Sequence, residues 1–229
     1  MRKPFKIALP ALGASALLIA GASAALATTI SSGGAPYNGD VKVTNITPTK
    51  FSGNGPGIGL ITSTCNAVSL VASVVSDGSG GQLKSASLTS CTNNYGGSDT
   101  YTVNNLPYSG ASAHYDAAHT NNRDGYLTIN APNSSVDVRA VLHLTNLGRT
   151  ETCHYGLTTT TPLTIDLFNS TNPNRPDTGN PHSQGQLTGQ QLQKISNPEN
   201  TAGCPAAVSG NGKFQVLTEP GGADLTIAP

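Results

Sequence analysis

The stretch LITSTCNAVSLVASVV (60–75), SDGSGG (76–81), QLKSASLTSC (82–91) sets two runs rich in Val, Leu, Ser and Thr on either side of a Gly-, Ser- and Asp-rich break. Runs of this kind, bounded by residues that accept positive φ, read as the strands of a β-hairpin. A turn centred on Asp77-Gly78-Ser79 leaves Cys65 and Cys91 equally far along the two strands, facing each other. Directly opposed Cβ atoms lie about 4.5–5.5 Å apart, within slight adjustment of the ~3.5–4.5 Å that a disulfide needs. The chain has 4 cysteines, Cys65, Cys91, Cys153 and Cys204, and an even set in an exported chain forms bridges. Spacing favours Cys65 with Cys91 and Cys153 with Cys204. A zinc site would need closely spaced cysteines or a histidine on the same face; His154 adjoins Cys153, but neighbours on a strand point to opposite faces. Paired cysteines also leave no thiolate for catalysis.

The same pattern continues outward. Short β-rich runs recur at 41–47, 99–103, 125–131, 135–147, 151–157, 162–168, 213–219 and 223–228, with no helical period longer than two turns after the N-terminal segment. Asn38-Gly39, Asp77-Gly78, Asp124-Gly125 and Gly221-Gly222 supply turn chemistry, each expected to use a positive φ. In SVDVRAVLHL, Val136, Val138, Ala140 and Leu142 share one face and Asp137, Arg139, Val141 and His143 the other, predicting a core side and a solvent side. The fold expected is all-β, an antiparallel two-sheet sandwich of about ten strands with two disulfides. GNGPGIG (53–59) reads as a flexible connection. NSTNPNRPDTGNPHSQG (169–185), with three prolines and no alternation, reads as a long surface loop, either functional or unstructured.

At the N-terminus Arg2, Lys3 and Lys6 precede an apolar, Ala- and Gly-diluted run, followed by Ala22-Ser23-Ala24 and Ala25-Leu26-Ala27. This is the layout of a secretory signal peptide over 1–27, cleaved after Ala24 or Ala27, with one secreted domain over 28–229. Loss of the leader removes three of the 12 basic residues, leaving nine against 12 acidic, a balance that disfavours nucleic acid and anionic membranes. Charged residues are 10% of the chain against ~25% in ordinary domains; Ser, Thr, Asn and Gly replace them, as on surfaces that bind through hydroxyls and amides. The location expected is extracellular, with cell-wall association as a variant.

Cys65, Ser90-Cys91-Thr92, Leu106-Pro107-Tyr108, Cys153, Gly203-Cys204-Pro205 and the terminal ADLTIA stand in an order that resembles a group of uncharacterised small secreted actinobacterial proteins. A fainter likeness runs to alkane-oxidation activator proteins. The likeness spans most of the chain after the leader, with Tyr108 where tryptophan is frequent and with the 169–185 segment added. It implies a secreted, disulfide-stapled β domain and supplies no catalytic residues.

Two constellations stand out as sites. His114, Asp116 and His119 gather in HYDAAH; His114 and Asp116 share a strand face, and a loop returning His119 would make a metal site, against the plainer reading of a polar strand end. Five of the 7 tyrosines, Tyr95, Tyr101, Tyr108, Tyr115 and Tyr126, are interleaved with Asn and Ser, either a recognition surface or a half-buried sheet face. No nucleophile elbow or phosphate loop occurs, and no cofactor is expected. The first functional expectation is therefore a secreted non-enzymatic structural or interaction protein of the envelope, self-associating through strand edges that Lys42, Lys84 and Lys213 protect only lightly. A soluble glycan- or protein-binding module using residues 95–126 is the alternative, and a secreted hydrolase the third.

Overall fold

The computed structural model describes residues 27–229; apart from Ala27, the expected leader lies outside the described residues. The strands are β1 (Thr29–Ser32), β2 (Ala35–Pro36), β3 (Gly39–Asn45), β4 (Thr49–Gly55), β5 (Gly59–Val74), β6 (Gly81–Asn93), β7 (Ser98–Asn104), β8 (Tyr108–Tyr115), β9 (Gly125–Ile129), β10 (Asn133–Leu144), β11 (Arg149–Leu157), β12 (Leu163–Phe168), β13 (Gln184–Lys194), β14 (Ala207–Glu219) and β15 (Thr226–Ala228). β1, β2 and β15 form a three-stranded sheet, and the other twelve form one sheet.

That large sheet closes on itself. β3, β5, β6, β8, β9, β12, β13 and β14 pair around an upper ring, and β4, β5, β6, β7, β10, β11, β13 and β14 around a lower one. The long strands β5, β6, β13 and β14 belong to both rings, trading neighbours partway along. β5 has 16 residues, about 50 Å at ~3.3 Å per residue, which is why one strand serves two rings. Irregularities in register at Val71/Ala72 and Leu187/Gln190 mark where the strands bend, and such bulges coil a sheet until its edges meet.

The architecture is therefore an eight-stranded barrel, and the expected two-sheet sandwich is corrected on this point. Alternation alone shows which side chains face inward; it is silent on whether the inward face belongs to two sheets or one closed sheet. Closure also removes the edges invoked for self-association: every strand of the large sheet has partners on both sides. Lys84 is ion-paired with Asp40 at 2.6 Å, and Lys213 Nζ donates to the Pro176 carbonyl at 2.8 Å.

The founding hairpin stands as read. Cys65 lies opposite Cys91, and that register holds to Val71 opposite Ser85 before slipping by one residue. Both bridges form, Cys65–Cys91 and Cys153–Cys204, with Cα atoms 4.0 and 5.6 Å apart. On β5, Ile61, Ser63 and Cys65 are buried, and the phase then moves so that Val68 is buried. Asn45 fills the break: its Oδ1 accepts the Val68 N–H at 2.8 Å and its Nδ2 donates to the Asn66 carbonyl at 3.0 Å, so neither backbone group is orphaned. At the turn, Gly78 has φ 77°, and a Cβ there would stand 2.2 Å from the Ala113 carbonyl oxygen. Gly221 and Gly222 also have positive φ, whereas Gly39 and Gly125 do not; these two lie at the start of β3 and β9, where the chain is extended.

Strands β1, β2, β4, β8 and β13 and the first half of β14 are absent from the sequence-based expectation, and GNGPGIG forms part of β4, the turn and β5. Segment 169–185 ends earlier than expected, since Gln184 and Gly185 open β13 and are buried with Ser183. The remainder is held by its own polar groups. Arg175 donates to the carbonyls of Asn180, Asn172 and Thr178, and Asn169 exchanges two hydrogen bonds with Ile227 at 2.8 and 3.0 Å.

Two apolar plugs close the barrel. At the upper end Ile30, Leu225 and Ile227 of the small sheet and its approach pack with Val41 and Ala113. At the lower end Ile61, Leu142 and Leu144 pack around the Cys153–Cys204 bridge. Each fully buried aliphatic of this kind contributes about 1.5–3 kcal/mol.

Candidate functional site

The barrel is not filled. Inward-facing Leu70, Leu88, Val103 and Val138 are only half-buried despite their direction, because they border an open lumen. It has two chambers: a lower one of about 220 Å³, bordered by Leu88, Val103, Val138 and Leu192, and an upper one of about 260 Å³, bordered by Val43, Leu127, Ile165 and Val216. Leu70, Leu83 and Ile129 line both, so the chambers abut. No charged side chain lines either chamber among the described residues. Each is larger than the ~150 Å³ apolar cavity known to admit benzene. The outside is the polar side, where Leu60, Val75 and Leu147 are the exposed large apolar residues among those described.

Inward-facing residues of the barrel strands build the lumen, as two of those strands show. Val136, Val138, Ala140 and Leu142 of β10 all border the lower chamber, as the period of SVDVRAVLHL requires. On β11 the same parity brings Glu151, Cys153, Tyr155 and Leu157 to the buried side, each 3% exposed or less.

Polar residues stand at one end of the lower chamber, whose exposed wall is almost wholly apolar. Ser63, Tyr101 and Tyr155 line it. The Ser63 hydroxyl donates to Asp99 Oδ2 at 2.5 Å, and Asn93 Nδ2 donates to Asp99 Oδ1 at 2.6 Å. Burial pushes the Asp99 carboxyl above the usual carboxylate range, and the bonds from Ser63 and Asn93 oppose this only in part. Burial likewise pushes the Tyr101 phenol well up, opposed by its hydrogen bond with Ser63 and reinforced by the Asp99 charge. Tyr155 is different: burial alone raises its phenol, and its hydroxyl has no partner. An unpartnered hydroxyl at 3% exposure costs about 1–3 kcal/mol of desolvation.

The five expected binding tyrosines do not share one face. Tyr101 and Tyr108 border the lower chamber, with the Tyr108 hydroxyl donating to the Asp137 carbonyl at 2.9 Å and accepting from its N–H at 3.0 Å. Tyr95 packs at the lower plug and donates to the Ile58 carbonyl at 2.9 Å. Tyr115 belongs to the upper plug. Tyr126 lies outside, stacked 5.0 Å from His114 and 4.3 Å under the Arg123 guanidinium. Tyr155, whose buried hydroxyl has no partner, stands outside the cluster that composition singled out. Its signal was parity: it shares Cys153's side of an expected strand.

His114, Asp116 and His119 do not make a ligand set. The Asp116 carboxylate is taken by Arg123 Nε at 2.6 Å and by the amides of Ala118 and Thr120, each at 3.1 Å. His119 turns its Nδ1 to the Arg123 carbonyl at 3.0 Å, and His114 lies against Tyr126. No group of three or more His, Cys, Asp or Glu side chains arranged to hold a metal occurs among the described residues. Asp116 and Asp166 instead clamp Arg123, each at 2.6 Å.

A second buried polar group, His154, bonds through Nδ1 to Asp137 Oδ1 at 2.8 Å, with Nε2 3.6 Å from Glu199. It ties the segment after β13 to the barrel wall, as does Glu151, held by Arg149 at 2.6 Å, by Thr201 and by the Gly203 amide at 3.1 Å.

No protein-family model matches the chain, and no curated protein matches it. Among solved structures, DynF from the dynemicin biosynthesis pathway of Micromonospora chersina is similar over 81% of this chain and 86% of its own, with 13% identity and a TM-score of 0.41. That degree of likeness carries no argument about activity or ligand.

Proposed function

We propose that the protein is a secreted, non-enzymatic binding protein that carries a small apolar molecule inside its barrel. The observation that carries the reading is the uncharged, apolar lumen of two abutting chambers within a wall whose strands are all paired. Closed pockets lined by aliphatic and aromatic side chains with a few placed polar groups are the usual form of small-molecule sites. Transfer of apolar ligand surface from water is favourable by about 25 cal/mol per Å². Two disulfides, and the lack of any helix long and apolar enough to cross a membrane among the described residues, fit an exported protein. A purely structural envelope role would need an association surface other than sheet edges, and a glycan platform would need the tyrosines together.

The test is extraction of the purified protein with organic solvent and mass spectrometry of the extract. The reading expects a neutral lipophilic compound in a fixed ratio to protein, lost from Ala86→Phe, which places a ring in the lower chamber. An empty wild-type barrel that also takes up no neutral lipophile would refute it.

A further inference from the structure

We infer that ligands reach the lower chamber sideways, through the wall between β6 and β7, and not through either end of the barrel. The inference rests on reading the lumen as a ligand site and assigns that site its entrance. The four long strands trade neighbours partway along, and three of these exchanges are mended. On β5 the Asn45 side chain fills the break. On β13 the Gln190 Oε1 accepts the Thr164 N–H at 2.8 Å, and on β14 the Lys213 carbonyl accepts the Ile46 N–H at 2.8 Å. The exchange on β6 has no such repair. On the side away from β5, β6 pairs with β7 at Cys91 and Thr92 and with β8 at Gly81 and Leu83, which leaves 84–90 without a strand partner there. On the facing side β7 has none over 100–104. Side chains of the two runs bond elsewhere, Lys84 to Asp40, Tyr101 to Ser63 and Asn104 to Asp137. Ser90, with φ 53°, turns the chain out of the ladder where the pairing stops. Both lips of the break belong to the chamber, since Leu83, Ala86 and Leu88 on one and Tyr101, Val103 and Tyr108 on the other all line it. Ser85, Ser87, Thr89 and Thr102 alternate with them and are exposed. Parting the strands here breaks no ladder pair. Either end would give up buried apolar packing instead: Ile30, Leu225 and Ile227 above, and the plug around the Cys153–Cys204 bridge below.

The test pins the lips together. Ser87→Cys and Thr102→Cys, at two exposed positions flanking the break, are combined in one protein and joined by the shortest bismaleimide that spans them; the control is the same protein with each thiol capped by N-ethylmaleimide. Uptake of the neutral dye N-phenyl-1-naphthylamine is followed by stopped-flow fluorescence, and its exit by displacement with excess acetophenone, a smaller neutral lipophile. Joining should slow uptake and exit alike, by about tenfold or more, because binding now waits on a motion that is barred. The Kd should stay as in the control, since the chamber itself is untouched. Ile227→Ala, which loosens the upper cap, should leave the uptake rate unchanged. Uptake as fast in the joined protein as in the control, or accelerated by Ile227→Ala, would overturn the entrance while leaving the lumen a ligand site. Failure of wild type to take up either probe would overturn the lumen reading and this inference with it.

Discussion

The upper and lower halves of the barrel share four strands and a continuous inner wall, yet they are finished differently. The upper chamber is capped by a separate small sheet whose Ile30, Leu225 and Ile227 act as a lid of aliphatics. Its charges stay outside, where Arg123 holds Asp116 and Asp166. The lower half carries both disulfides, the buried Asp99, and the tyrosines that border its chamber, Tyr101, Tyr108 and Tyr155. One half encloses by packing alone, and the other is covalently fixed around polar groups that burial makes costly. Rigidity is placed around the unpartnered Tyr155 hydroxyl, which keeps its position only if the surrounding backbone cannot relax to satisfy it.

Breaking the bridges should show the largest difference. Replacing Cys153 and Cys204 by serine releases a 51-residue separation and Cys65 with Cys91 one of 26, costing about 4 and 3.5 kcal/mol by the loop-entropy relation. Both should appear as lower midpoints in urea unfolding of the oxidised proteins, with acetophenone binding weakened first. In the upper half, Ile227→Ala should cost about 2–3 kcal/mol and loosen the cap, measured by faster amide exchange in β1 and β15 while β7 and β10 stay protected. Tyr155→Phe should go the other way and raise stability by about 1 kcal/mol, because it deletes a buried hydroxyl without a partner; calorimetry of the ligand-free protein would read this as a higher Tm.

The smallest effect sharpens the contrast most. Asp99 has a folded pKa raised above its ordinary 3.8, so the native state takes up its proton before the unfolded chain does, and stability rises as pH falls from the raised value towards 3.8. For Asp116, burial pushes up, but the bonds from Arg123, Thr120 and Ala118 and the Arg123 charge outweigh it and hold the carboxyl below 3.8. Its contribution is present above that value and is lost as pH falls through the lowered one. Unfolding curves of Asp99→Asn and Asp116→Asn against pH should each lack one of these opposed slopes. Identical profiles would mean that the two halves do not differ electrostatically as described.

Much of the wall was legible in the residues. Strands with alternating aliphatics, such as β10, and the cysteine-bearing hairpin declare both their conformation and their inward face. Strands β8 (YSGASAHY) and β13 (QGQLTGQQLQK) do not, because Ala, Gly, Ser and Gln carry little β propensity by themselves; their neighbours in the closed ring hold them. Closure itself was hidden for a related reason. It depends on register shifts such as those at Val71/Ala72 and Leu187/Gln190, and on side-chain contacts such as those of Asn45 with Val68 and Asn66, which no period encodes. Clustering in the chain misled the search for a site, as Tyr95, Tyr115 and Tyr126 went to three different places, whereas strand parity with Cys153 points to Tyr155.

The most direct test of the central claim is a fluorescence titration of the oxidised protein with the neutral dye N-phenyl-1-naphthylamine, run beside Ala86→Phe and the upper-chamber counterpart Ala72→Phe. The account predicts saturable one-to-one binding to wild type, displaced by acetophenone and lost or sharply weakened when either chamber is filled in a protein that remains folded. Binding that is unsaturable, or that both filled variants retain at full strength, would place the dye on the outer surface and contradict a ligand-carrying lumen.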